Sequence, residues 1–200
     1  MFEFKMTPHQ TGMALWGDYA ALERLHRFIH RVVEDSPVIE DKEGFVLGLA
    51  YDFRKAFERK RNEGWRAQAR DRNRCRTYGV EILRPVLLIQ TGMLRHAMGF
   101  IATDKLDQAI MYELEHVVET ALQTATPVLA GSVLHAARRA CMAPYSHLDA
   151  VLENRCVYFI ELPAGDRLAM LAKEGAGIRP GVIPPSAFID CDRDWPDFEW

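Results

Sequence analysis

The feature that most constrains this chain is a change of hydrophobic period near its start. Residues 1–6 (Met-Phe-Glu-Phe-Lys-Met) alternate apolar and polar, which favours a strand. Pro8, His9 and Gly12 supply turn chemistry, and Met13 to Trp16 is a second apolar run, so 1–17 reads as a β-hairpin. Asp18 then stands where a helix cap belongs, and Leu22, Leu25, Ile29, Val32 and Val33 recur at helical spacing through about Glu34. A hairpin followed by an amphipathic helix has one sheet face and one helix stripe to bury against each other, which is the signature of an α+β fold.

The rest of the chain extends that pattern. Val46, Leu49, Ala50, Phe53 and Phe57 predict a helix over 45–61, stopped by Asn62-Glu63-Gly64. Residues 77–83 read as a strand, and Pro85 suits the first turn of a helix running to about Ile101. Thr103 or Asp104 caps another helix that ends before Pro127, and a further one spans roughly 128–141. Arg155 to Leu162, rich in aromatic and β-branched residues, reads as a strand, followed by a short helix near 166–173 and a Gly/Pro loop over 175–186. The expectation is a small, mostly antiparallel sheet, made of the N-terminal hairpin plus strands near 77–83 and 155–162, covered by five or six helices. A chain of 200 residues buries about 70% of its unfolded surface, enough for one core without staples. We read 1–186 as a single globular domain and 187–200 as an acidic aromatic tail.

Thr7-Pro8, Gly12, Gly17-Asp18-Tyr19, the helix carrying Leu25, Ile29 and His30, and the run Leu47-Gly48-Leu49-Ala50-Tyr51-Asp52-Phe53-Arg54-Lys55-Ala56 carry a resemblance. Over roughly its first half the chain resembles a family of uncharacterised bacterial proteins of about this length. The resemblance implies a bacterial, cytoplasmic setting and transfers no activity to any residue. The arginine-rich stretch 66–76 is not part of the shared pattern.

Charge is segregated. Between Arg54 and Arg76 there are ten Lys or Arg residues and three acids (Glu58, Glu63, Asp71), about +7 in a chain whose net charge is −3. Arg54 to Arg61 is the expected cationic end of a helix. The informative part is Arg66, Arg70, Arg72, Arg74 and Arg76, a guanidinium cluster suited to phosphate or another polyanion, with Trp65 and Tyr78 as stacking surfaces. An acidic whole-chain pI of about 6.2 weighs toward plain surface or internal neutralisation instead. The tail sets Asp190, Asp192, Asp194, Asp197 and Glu199 around Trp195, Phe198 and Trp200, aromatic anchors that suit docking on a partner, a second copy or the chain's own basic strip.

Other chemistries find little support. There is no nucleophile elbow, P-loop or HExxH, and Gly175-Ala-Gly177 follows a helix and not a strand. Glu23-x-x-His26 and Glu113-x-x-His116 have dimetal spacing, but the helical stripes point away from both, so no metal and no cofactor is expected. The four cysteines (75, 141, 156, 191) form no CxxC and read as reduced thiols; Cys75 lies between two arginines. No stretch is apolar enough to span a membrane and no signal peptide is seen, so a cytoplasmic location is expected. Asp52, Arg54 and His96 are polar residues in or beside apolar helices and are candidates to line a cleft. These observations favour a non-catalytic binding or interaction module with a protein partner or self-association; nucleic acid is a second, less favoured partner class. The alternative is a ribonuclease-like enzyme on nucleic acid or a phosphorylated substrate, with Arg24, His26 or His30 and the arginine strip converging on one pocket.

Overall fold

The computed structural model describes residues 1–67, 74–177, 198 and 200. The N-terminal alternation closes as the expected hairpin, β1 (Glu3–Met6) and β2 (Gly12–Gly17), in register Glu3 with Trp16 and Met6 with Met13. The turn is held by side chains: Thr7 Oγ1 accepts from Gly12 N at 2.9 Å and meets Thr11 Oγ1 at 3.1 Å. Asp18 caps α1 (Tyr19–Asp35), accepting from Ala21 N at 2.8 Å. Helix α2 (Phe45–Phe57) packs beside it.

Helix α2 ends with Arg59 in the left-handed region (φ 63°), where Lys60 N donates to Lys55 O and Arg59 N to Ala56 O, the paired bonds of a Schellman stop. The chain then enters β3 (Asn62–Ala67) and returns as β4 (Arg74–Leu83), which pairs antiparallel with both β3 and β2. The sheet order is β1-β2-β4-β3, all antiparallel. From β4 the chain passes directly into α3 (Arg84–Ala97), with Pro85 in its first turn. Helix α4 (Lys105–Ala125) opens with an Asp104–Asp107 capping box, and α5 (Ala130–Ala140), α6 (Tyr145–Glu161) and α7 (Ala164–Gly177) follow.

The strand expected at 155–162 is a correction. Those residues lie in α6, and the fourth strand is β3, in the stretch read as a helix stop and basic connection. The Cys-Val-Tyr-Phe-Ile run has strand propensity, but Leu152, Cys156, Phe159 and Ile160 recur at helical spacing and bury together against Leu83 and Met170. Burial of that stripe outweighs a propensity difference of well under 1 kcal/mol per residue.

One sheet face carries Met13, Leu15, Val80 and Ile82, which join Leu22, Leu25, Ile29, Leu49 and Phe53 in the main core. On the other face Trp16 stands opposite Gly79 in register. A Cβ at Gly79 would come 2.5 Å from the indole, and one at Gly64 would come 3.0 Å from it, so the ring lies flat across two strands because both positions lack a side chain. Lys5 covers the indole, its ammonium 4.3 Å from the ring centroid.

Candidate functional site

The β3–β4 hairpin holds the described part of the arginine cluster. Arg66 reaches past the end of β2: it donates to Met1 O (3.3 Å) and Glu3 Oε1 (3.0 Å), and its Nη2 lies 3.5 Å from Asp18 Oδ2. The hydrogen bond to Glu3 raises its pKa above the ordinary value, so this guanidinium is a tie between β3, β1 and the cap of α1. Arg76 pairs with Glu63 at 3.2 Å and lies 5.0 Å over the Trp65 ring. Arg74 is exposed and has no ion pair among the described residues. Arg70 and Arg72 lie outside the described residues. Three of the five earlier cations are matched too: Arg61 with Asp52 (3.2 Å), Lys60 with Glu58 (2.8 Å), and Arg54 over Tyr51 (4.9 Å). What the hairpin presents to solvent is Trp65, 59% exposed, on a strand at the sheet edge.

The described tail aromatics dock on their own chain, away from Arg66 and Arg76. Phe198 and Trp200 (ring centroids 5.1 Å apart) are half-buried against the cluster of Leu83, Phe159, Ile160 and Met170, and Trp200 O accepts from His9 N at 3.4 Å. Trp200 also borders a polar cleft of about 590 Å³ with Asp52, Arg61 and Glu81. Trp195 and the four Asp residues of the tail lie outside the described residues.

Arg24 and His30 do not converge. Arg24 pairs with Glu113 on α4 at 3.0 Å, whereas His30 meets His26 at a tilt of 56° (ring centroids 4.5 Å apart) and edges onto Tyr51 of α2 (6.0 Å). Neither touches Arg66, whose partners are Met1, Glu3 and Asp18. Burial, then the His30 and Arg54 charges, hold His26 below the ordinary histidine value. The two Glu-x-x-His motifs likewise face different neighbours, and no group of three metal-ligating side chains occurs among the described residues. Cys75 is half-buried with Sγ 3.5 Å from Arg76 O. Burial pushes the Cys141 and Cys156 thiols up to about 12, away from thiolate chemistry.

The sequence reading missed a cleft of about 210 Å³ between α3, α4 and α5. Arg95 makes a fork on Glu115 (2.8 and 2.5 Å) and adds Gln108 at 2.9 Å; Arg138 pairs with Glu119 at 2.7 Å. Leu88, Val118, Leu134, Ala137 and Cys141 line it between these ion pairs, with His96 bordering it beside Phe100. Helices α3 and α5 meet closely at Gly92, where a Cβ would sit 2.5 Å from Cys141 Sγ. Thr91 is 7% exposed and its hydroxyl has no hydrogen-bond partner. The available signal was the polar and small insertion Gln90-Thr91-Gly92 in an otherwise apolar helix. Of the three polar residues named as cleft candidates, Asp52 and His96 line separate clefts and Arg54 lines neither.

No helix among the described residues is long and apolar enough to cross a membrane. No curated protein and no solved structure matches the chain. The family model of a domain of unknown function, DUF6904, matches residues 2–174, so the family likeness runs well past the first half and through the arginine-rich hairpin. With its four-stranded antiparallel sheet and enclosing helices, the chain belongs to the DUF6904 family.

Proposed function

We propose that this protein is a binding module that self-associates through the edge of β3 that has no partner strand among the described residues. The observation that carries the reading is an edge strand with Trp65 59% exposed on it and with its own two charges, Glu63 and Arg66, already matched within the chain. Exposed edges are normally defended by unmatched charge, proline or a bulge. Here Glu63 is held by Arg76, and Arg66 by Glu3 and Asp18, so the charges on β3 are occupied elsewhere.

The geometry of a second copy follows from strand alternation. A two-fold axis normal to the sheet keeps like faces together, so residues of equal parity oppose each other. Centring it on Trp65 sets that indole against its own copy, an aromatic cross-strand pair, and keeps Glu63 from meeting Glu63. Six residues of strand bury less than a standard interface, so the association is weak and concentration-dependent.

Sedimentation velocity over a concentration series tests it. The wild type should shift from monomer to dimer as concentration rises, and Trp65→Lys should stay monomeric with unchanged thermal stability. A wild type that is monomeric throughout, or a Trp65→Lys variant that dimerises equally, would contradict the reading.

A further inference from the structure

The second half of β4 has a bare edge. Arg84 N donates to Thr11 O at 3.0 Å, one step beyond the last registered pair, Gly12 with Leu83. Hydrogen-bonded pairs alternate along an antiparallel ladder, so Tyr78, Val80 and Ile82 turn their N–H and C=O toward β2, and Gly79, Glu81 and Leu83 turn theirs the opposite way. Strand β3 begins at Asn62, opposite Gly79. The residue that would continue it opposite Glu81 is Lys60, whose N–H is committed to Lys55 O in the stop of α2. Among the described residues, the N–H and C=O of Glu81 and the N–H of Leu83 therefore have no hydrogen-bond partner. Both residues line the polar cleft of about 590 Å³, a volume in the range of ligand sites. The charges around this cleft leave one over. Arg61 pairs with Asp52 (3.2 Å) and Lys60 with Glu58 (2.8 Å). Lys5, in register with Glu81 two strands away, sits over the Trp16 ring. The other lining side chains, Asn62, Ile82, Leu83, Val86 and Trp200, carry no charge. Glu81 is half-buried and has no ion pair among the described residues.

We propose that this cleft takes an extended peptide segment of a partner protein, added to β4 in line with β3, with a Lys or Arg directly opposite Glu81. An added strand supplies one donor and one acceptor where Glu81 offers one acceptor and one donor. A residue directly opposite in an antiparallel pair projects on the same face, so its side chain meets the Glu81 carboxylate. A cation there gains an ion pair, and an acid there meets like charge. The site uses β4 beyond the end of β3 and not the outer edge of β3, so it stands whether or not the protein self-associates.

The test is an amide-detected NMR titration of the full chain with three blocked pentapeptides built from strand-forming residues: Thr-Val-Lys-Val-Thr, the same peptide with Glu in place of Lys, and the Lys peptide methylated on the lysine's backbone nitrogen. The Lys peptide should give saturable shifts at the Glu81 and Leu83 amides and slow hydrogen exchange at Glu81. The Glu peptide should bind about 3- to 20-fold more weakly, the sum of one lost attraction and one added repulsion. The methylated peptide keeps the charge and loses the donor to Glu81 O, so it should bind at least about tenfold more weakly. Glu81→Lys should reverse the preference in favour of the Glu peptide; if that variant does not fold, the three peptides on the wild type still decide. The proposal is overturned if the Lys peptide gives no saturable shift at these amides, or if the Glu peptide binds as well. Equal binding of the methylated peptide would reduce the site to capture of a cation, and Glu81 shifts on raising the protein concentration alone would assign the edge to a second copy; either result overturns the proposal, as does a Glu81→Lys variant that still prefers the Lys peptide.

Discussion

Four arginines at the two ends of β4 are handled in opposite ways. At the hairpin end, Arg66 and Arg76 are partly exposed and rest on carboxylates: Glu3, Asp18 and Glu63. At the other end, where β4 runs into α3, Arg84 and Arg167 are 3% and 8% exposed and have no carboxylate among their partners. Arg167 donates to Phe159 O (3.2 Å), Ile160 O (2.7 Å) and His9 O. The first two belong to the last turn of α6, whose carbonyls lack helical partners and carry the negative end of the helix dipole. One side chain thus closes α6 and ties it to the β1–β2 turn. Arg84 is less well provided: Nη2 reaches Gly12 O at 3.3 Å, Nη1 has no partner, and burial beside Arg167 pushes its pKa down to about 10. A dense charge run marks where cations sit easily among acids, and an isolated arginine next to apolar segments marks where the fold encloses one.

The largest effect should come from Arg167→Met, which leaves two buried carbonyls, of Phe159 and Ile160, and the part-buried His9 carbonyl without a charged donor. At about 1.5–3 kcal/mol for each such bond, less the relief of removing a buried charge, urea unfolding should show a loss of about 3–5 kcal/mol. A loss below about 1 kcal/mol would erase the distinction between the two ends. Arg84→Met should move stability the other way. A depressed pKa in a base means that the folded state disfavours the charge, so the penalty is fully present at neutral pH and is relieved as pH rises through about 10. The shift corresponds to about 3 kcal/mol, offset by about 1 kcal/mol for the bond to Gly12, so a gain of about 2 kcal/mol is expected. Arg66→Ala, at a partly exposed network, should cost only about 1 kcal/mol by the same assay.

A smaller, pH-dependent term belongs to the α1–α2 face. Because folded His26 lies below 6.5, the unfolded chain takes up its proton first; stability is full above that pH and falls as the solution is acidified. His26→Gln should flatten the slope of thermal stability between pH 7 and 5, and an unchanged slope would assign the acid sensitivity elsewhere.

This contrast also explains what could be read in the sequence. The hairpin, the Asp18 cap, the helix stripes and Pro85 at the start of α3 are local signals, and all stand in the structure. Strand β3 was hidden because Asn62-Glu63-Gly64 is turn chemistry and Trp65-Arg66 carries no alternation; its pairing with β4 supplies what its sequence lacks. Helix α6 was misread because its apolar run is rich in strand formers, and only contact with Leu83 and Met170 shows that the stripe has helical period. Glu3 lies 63 residues from Arg66 and His9 lies 158 residues from Arg167, beyond any window of local pattern. The same holds for the cleft, whose walls come from three helices and whose one trace in the sequence is Gln90-Thr91-Gly92.

Self-association at β3 is tested most directly by a cross-link at its two-fold. In a Cys75→Ser background that keeps Trp65, an equimolar mixture of Glu63→Cys and Ala67→Cys chains places one thiol from each on facing strands beside the two-fold, where directly opposed Cβ atoms lie about 4.5–5.5 Å apart and a disulfide is within reach. The account predicts rapid conversion to a disulfide dimer under mild oxidation, with Tyr112→Cys, exposed on α4, remaining monomeric. Equal, slow cross-linking of the mixture and of Tyr112→Cys would contradict it.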